Sequence, residues 1–391
     1  MSKSPKAPVK VVSRQPVQSG ISAARETSLM GYVEGSDIDG VRRRGRGASS
    51  NATGRFEASV RASFDDGWET LAELPPFKTE VQFEPARSII STNDSPDISF
   101  DQSINPYRGC EHGSIYCYAR PSHCYLGHSA GLDFETRLYA KPNAAELLER
   151  ELANPRYRAR TIVMGTNTDP YQPIEREHRI TRQVLEVLEK TNHPVGIVTK
   201  SASILRDADI LERMAKKGLV KVALSLTTLD RRLARAMEPR ASTPPRRLAA
   251  LGELSARGIP TGVMMAPIIP SLTDHEIESL LEAAAKAGVQ EAGYVLLRLP
   301  LEIKTLFREW LNEHQPDRAR RVINRLQEMH QGADYRSEFR LRQTGSGPYA
   351  AQIAQRFRMA RRRFGLDGER KVPRTDLFRH PVLPGGQLGL L

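Results

Sequence analysis

The sequence predicts an α/β fold, a partial barrel of six βα units, and three observations carry that prediction. Between residues 100 and 300, six short apolar runs recur, most of them followed by an amphipathic helical stretch; such alternation means parallel strands with crossover helices. The runs are unbroken rather than alternating in polarity, as strands covered on both faces are. Six units suit a partial barrel better than a closed eight-fold one. A doubly wound open sheet is the competing architecture, but no Gly-x-Gly-x-x-Gly turn follows any of the strands, which argues against a dinucleotide site.

Residues 1 to about 55 are rich in Ser, Gly, Arg and Lys without a sustained apolar period, and read as a disordered basic arm. Its densest basic run is Arg42, Arg43, Arg44 and Arg46. Residues 56–99 read as a segment packing on the barrel, with Trp68, Phe77, Val81 and Phe83 as anchors and a strand over 78–83. The first barrel strand ends near Ile104. Helix 143–152 follows, with Asn143 as its cap. Strand 161–165 (TIVMG) precedes helix 181–189, strand 195–199 (VGIVT) precedes helix 204–216, and strand 220–226 (VKVALSL) precedes helix 245–257, closed by Gly258. Strand 262–268 leads to helix 274–287, with Thr273 as its cap and Gly288 at its end. Strand 293–297 (GYVLL) completes the barrel. Residues 301–366 read as a helical basic extension, with helices over 307–312, 317–331 and 349–364; the last carries Arg356, Arg358, Arg361, Arg362 and Arg363. Residues 367–391 are rich in Pro and Gly and read as a flexible tail.

The chain has 391 residues and a net charge of +12, from 58 Lys+Arg against 46 Asp+Glu. That excess suits a polyanion such as DNA; a generally basic surface is the alternative. No run approaches the roughly 20 apolar residues of a membrane helix, and the N-terminus lacks a secretory core, so the expected location is cytoplasmic, with no membrane partner.

All three cysteines, Cys110, Cys117 and Cys124, fall in residues 103–128, with His112, His123 and His128. Cysteines clustered in an intracellular chain point to metal or redox chemistry rather than disulfides. A loop directly after the first barrel strand lies at the strand's C-terminal end, where barrels keep their active sites. Thiolates there suit an iron–sulfur cluster or zinc, though the Cys/His spacing matches no zinc pattern.

The run NPYRGCEHGSIYCYARP (105–121) resembles the Cys-x3-Cys-x2-Cys loop of radical S-adenosylmethionine (SAM) proteins. More narrowly, it resembles the branch of DNA-repair-photolyase-like proteins related to spore photoproduct lyase. The likeness continues through GLDFETRLYAKPNAAELLEREL, GTNTDPYQPIE, IVTKS, SLTTLD, MEPR and AGYVLLRLP, in order on the predicted strands, and covers roughly residues 75–365. It implies a partial (β/α)6 radical SAM barrel and, as cofactors, a 4Fe–4S cluster and SAM. In that family three thiolates hold the cluster and SAM chelates its open iron. An external electron donor supplies the electron that cleaves SAM to a 5′-deoxyadenosyl radical, in chemistry that the cofactor carries and the protein positions. The implied role is lyase-like activity on or near DNA; a catalytically inactive protein of the same fold that binds nucleic acid or the sliding clamp, or a zinc-binding module, is the alternative.

The implied metal positions are Cys110, Ser114 and Cys117, so serine stands where the family has its middle cysteine. An alkanol does not ionise near neutral pH as a thiol does, and its oxygen is a harder ligand. Three outcomes are open: Ser114 ligates through oxygen and the cluster is labile, Cys124 serves as the third ligand, or the site holds no cluster. A small buried residue is the favoured reading of Cys124, and His112 reads as a supporting hydrogen-bonding residue. The resemblance further implies cofactor contacts from Tyr116 and Tyr118 beside the last cysteine, from Thr166 and Thr168 after the second strand, from Lys200 after the third, from Ser225 at the end of the fourth, and from Arg240 in the loop beyond, where an ion pair with Glu238 is the structural alternative. Spore photoproduct lyases use an extra cysteine as hydrogen donor; none exists here outside 110–124, which argues against thymine-dimer reversal by that route. Gln387, Leu388, Leu390 and Leu391 resemble the bacterial sliding-clamp-binding peptide, whose apolar anchors fill a preformed groove.

Overall fold

The computed structural model describes residues 11–13, 32–34, 38, 40–64, 75–368 and 371–383. Six parallel strands, β1 (Gln102–Ile104), β2 (Ile162–Met164), β3 (Val195–Thr199), β4 (Val220–Ser225), β5 (Thr261–Ile268) and β6 (Glu291–Leu296), lie side by side in chain order. Each neighbour is the next of these six in the chain, so the sheet has no switch point and the doubly wound alternative is excluded. An antiparallel strand, Ile90–Thr92, covers the outer edge of β1. The architecture is the expected partial (β/α)6 barrel.

Five helices follow the first five strands: α1 (Ala144–Leu152), α2 (Ile180–Lys190), α3 (Ala208–Lys216), α4 (Pro244–Ala256) and α5 (Ile277–Lys286). Each lays an apolar stripe on the sheet; α2, for example, buries Ile180, Val184, Leu185 and Leu188. Gly258 and Gly288 end α4 and α5 at φ +74° and +78°, the left-handed position that favours glycine. The two expected caps work differently. The Asn143 side chain exchanges two hydrogen bonds with the Ala86 backbone, at 3.2 and 3.1 Å, and so ties the preceding segment to the barrel. The Thr273 hydroxyl accepts the Ile269 N–H at 2.9 Å.

The last part of the arm, from residue 40 onward, is packed against the barrel, which its composition does not suggest. From Arg46 to Ser50 every residue is buried, held by the Arg46 guanidinium, the Ser49 and Ser50 hydroxyls and two backbone N–H groups, none of which a hydropathy pattern registers. Tyr32–Glu34 and Val11–Ser13 flank Ser59–Phe64 in a small antiparallel sheet. The strand expected at 78–83 is Glu80–Phe83, paired parallel with Arg137–Ala140. Phe77 and Val81 pack against the core, whereas Phe83 is 62% exposed and anchors nothing deeper than the edge of His178. Trp68 lies outside the described residues.

After β6 come α6 (Ile303–His314), α7 (Pro316–Met329) and α8 (Gly347–Arg363). Between α7 and α8, Arg342 pairs with Asp97 and donates to the Ser95 hydroxyl at 2.6 Å. Asp97 precedes β1 and Arg342 follows β6, so this contact joins the chain segments flanking the barrel's two ends.

The tail is also more ordered than expected. Lys371 N–H bonds Glu291 (3.0 Å), Arg374 N–H bonds the Gly218 carbonyl (2.8 Å) and Arg379 N–H bonds the Thr191 carbonyl (2.9 Å). These partners stand at the starts of β6, β4 and β3, so residues 371–383 form a strap along the barrel floor. Phe378 seats it edge-on against Tyr157 and His193. Gln387, Leu388, Leu390 and Leu391 lie outside the described residues. Among the described residues, no helix is long and apolar enough to cross a membrane.

Candidate cofactor site at the barrel mouth

The loop after β1 is pinned to the loop after β2 before it reaches its first cysteine. Asn105 Oδ1 accepts the Asn167 N–H at 2.9 Å and the Thr166 hydroxyl at 3.2 Å. The Gly109 carbonyl accepts the Thr168 hydroxyl (2.6 Å) and Gln172 Nε2 (3.3 Å), and Gln172 Oε1 accepts the Glu111 N–H (2.8 Å). Both backbone neighbours of Cys110 are thereby fixed. Gly109 and Gly113, at φ +73° and +67°, permit the tight turns between. Cys117 N–H then bonds the Ser114 carbonyl (3.1 Å), and Arg120 N–H bonds the Cys117 carbonyl (3.1 Å).

This path brings Cys110 and Cys117 into one small cluster with Ala119 and Phe134. Burial pushes the Cys117 thiol up; Lys200 pulls it back, and Cys110 adds to the rise. Lys200, half-buried at the end of β3, also stands 5.8 Å from the Tyr116 ring. Ser114 is buried in the same turn. Cys124 is buried too, but in a different cluster, with Ile115 and Leu132, and its surroundings are Arg55 and Glu302. The favoured reading of Cys124 as a small buried residue therefore holds, and it does not join the pair. Among the described residues, no group of three or more His, Cys, Asp or Glu side chains is placed to hold a metal.

His112 is buried 3.3 Å from Asp169. Burial pulls its imidazole down, but Asp169 and Cys110 outweigh that and push it up to about 10. Burial raises Asp169, yet His112, the Thr199 hydroxyl and the Lys200 N–H outweigh it and hold the carboxyl well below the usual range. Asp169 thereby links the cysteine loop to the ends of β2 and β3.

The other sequence-assigned positions separate into two groups. Tyr118 is 46% exposed, donates to the Thr166 carbonyl and carries the Arg298 guanidinium 4.4 Å from its ring centroid. With Lys200, these groups line the accessible rim. Tyr116, Thr168, Ser225 and Arg240 are engaged by the protein itself. The Tyr116 hydroxyl donates to Glu238 and lies 3.1 Å from the Thr227 hydroxyl. Ser225 is buried, and its carbonyl accepts Arg247 Nη1 at 2.8 Å. Arg240 pairs with Glu111 and donates to the Gly45 carbonyl, while Glu238 pairs with Arg247; the Glu238–Arg240 ion pair is not formed. Sequence reasoning missed Gln172, Glu135, Arg120, Arg247 and Arg298. Each of the first four lies in a mixed or polar stretch, so no run or period marks it.

The family model described as the radical SAM superfamily matches residues 104–284. A Mycobacterium tuberculosis protein described as uncharacterized is 35% identical over 240 residues, which are 61% of this chain and 69% of that protein. This chain belongs to the radical SAM superfamily. A Pseudomonas phage M6 protein named radical SAM Nα-GlyT isomerase is 27% identical over 207 residues, 50% of this chain and 41% of that protein. Among solved structures, a spore photoproduct lyase mutant aligns with a TM-score of 0.49 at 15% identity, covering 73% of this chain and 80% of that one.

Radical SAM enzymes use a 4Fe–4S cluster together with SAM. At the three positions that the family resemblance assigns to such a cluster, this chain has two cysteines, Cys110 and Cys117, and the Ser114 hydroxyl. Iron–sulfur clusters are held by thiolates, and a hydroxyl is a harder donor that stays protonated near neutral pH. The donor set is therefore one thiolate short of fitting the cluster.

Proposed function

We propose that this chain is a SAM-dependent radical enzyme of the lyase type acting on nucleic acid, with its cluster site weakened at Ser114. The observation that carries this reading is the pairing of Cys110 and Cys117 in one cluster, under the influence of Lys200, at the C-terminal end of a partial barrel. Lys200 supplies a cation for the SAM carboxylate. The Tyr118–Arg298 stack offers a flat surface to adenine. Thr168, Tyr116 and Arg240 support the site by holding its loops. The net charge of +12 favours a polyanionic substrate.

The test is anaerobic reconstitution of the wild-type chain and of Ser114→Cys. Wild type is expected to retain well under the full complement of iron and sulfide. Ser114→Cys is expected to retain about four irons per chain and, with dithionite and SAM, to release 5′-deoxyadenosine at least about tenfold faster, a difference of about 1.4 kcal/mol in barrier. A Ser114→Cys protein that stays colourless and releases no 5′-deoxyadenosine, yet binds DNA, would assign the chain to binding rather than catalysis.

A further inference from the structure

The arm touches the cysteine loop through a buried carboxylate. Glu135 is wholly buried; its carboxylate accepts the Gly47 N–H at 2.8 Å, the Ala48 N–H at 2.9 Å and Arg120 Nη2 at 2.6 Å. Arg120 is equally buried and donates Nε to the Ser114 carbonyl at 2.9 Å and Nη1 to the Ala130 and Gly131 carbonyls at 3.1 and 3.0 Å. Two N–H groups of the arm thus reach the middle position of the cysteine loop through one carboxylate and one guanidinium.

Packing brings the same two segments together directly. A Cβ on Gly47 would stand 1.8 Å from the Gly113 carbonyl oxygen, so the two backbones are in contact and only glycine fits. Arg46 fastens the arm further, donating to the Glu135 and Phe77 carbonyls and to the Thr79 hydroxyl, each at 3.0 Å. Arg240 closes the other side: its N–H bonds the His112 carbonyl at 3.3 Å and its Nε the Gly45 carbonyl at 3.2 Å. These arm residues precede the stretch 104–284 that defines the family.

We propose that residues 45–48 are a latch on the cysteine loop, positioning Ser114 through Glu135 and Arg120 and keeping the buried Cys110 closed to solvent until the arm lifts. The latch acts on the loop itself and holds whatever chemistry the site performs. A lifted arm leaves Glu135 short of two donors in a buried site, so arm and loop open as one local unit.

The test is alkylation of the buried Cys110 by N-ethylmaleimide in the full-length native protein, read peptide by peptide. Gly47→Ala is expected to speed it at least about tenfold, whereas Gly40→Ala, whose Cβ meets nothing within 4 Å, leaves it unchanged. Leu188→Ala, a core truncation under α2, lowers thermal stability without speeding the alkylation, which separates positioning from bulk destabilisation. Should Gly47→Ala fail to fold, hydrogen exchange in the unaltered chain decides: the Gly47, Ala48 and Cys117 amides are expected to share one protection factor, below that of β3 to β5. Alkylation at the wild-type rate in Gly47→Ala, or arm amides exchanging orders of magnitude faster than Cys117, would overturn the latch.

Discussion

Glu238 shows how much of the mouth is built from buried charge. It pairs with Arg247, both side chains being almost fully enclosed, and it also takes the Tyr116 hydroxyl. Arg247 spends its remaining donors on the Ser225 and Ser242 carbonyls, at 2.8 and 2.7 Å. Removing the carboxylate leaves a buried guanidinium uncompensated, which costs about 3–5 kcal/mol. Glu238→Ala is therefore expected to lower unfolding free energy by that amount in urea titrations; a loss under about 1 kcal/mol would show that water reaches the pair. The partner of Glu238 was not legible in the sequence. Arg240 is the nearer arginine, and only the return of α4 along the sheet brings Arg247 to the carboxylate. The cysteine loop was legible because its ligand types and spacing are local. Whether Cys124 joined the pair depended on where the turn after Pro121 pointed, and the turn carries it into a separate apolar cluster.

Among the elements, the strands were the most legible, since a strand covered on both faces must be apolar throughout; β3 lies over the residues expected. The arm and the floor strap were not. Both are held by backbone N–H groups and single side chains, so neither shows a helical or strand period. The strap has a pH signature. His193, packed beneath Phe378, is lowered to about 4 by burial, against a smaller opposing pull from the Pro194 carbonyl. Its ordinary value is about 6.5. A group lowered on folding contributes full stability above the unfolded value and loses it as pH falls from about 6.5 towards 4. That loss is up to about 3 kcal/mol. His193→Gln, which does not titrate, is expected to show a correspondingly flatter stability between pH 7 and 4.5 in denaturant titrations. A slope equal to wild type would place the acid sensitivity elsewhere.

For the molecule as a whole, strand order decides the architecture: six parallel strands in chain order, with the Arg342–Asp97 contact joining the segments outside its two ends. The extension presents Arg358, Arg362 and Arg363 to solvent along α8, while Arg356 is committed to Glu278 and Arg361 to the Leu366 carbonyl. Nucleic-acid affinity is expected to fall linearly in log–log terms with salt, each phosphate contact adding about 0.7–0.9 to the slope. Replacing the three exposed arginines with Gln is expected to lower that slope by about 2. Binding that ignores salt would exclude a polyanionic partner.

The most direct measurement of the central claim is the electron paramagnetic resonance spectrum of dithionite-reduced, reconstituted protein titrated with SAM. If Cys110 and Cys117 are cluster ligands as proposed, Ser114→Cys supplies a third thiolate and is expected to give a 4Fe–4S signal that shifts as SAM is added, and wild type a much weaker one. A Ser114→Cys spectrum that shows no cluster, or a cluster indifferent to SAM, would contradict the account.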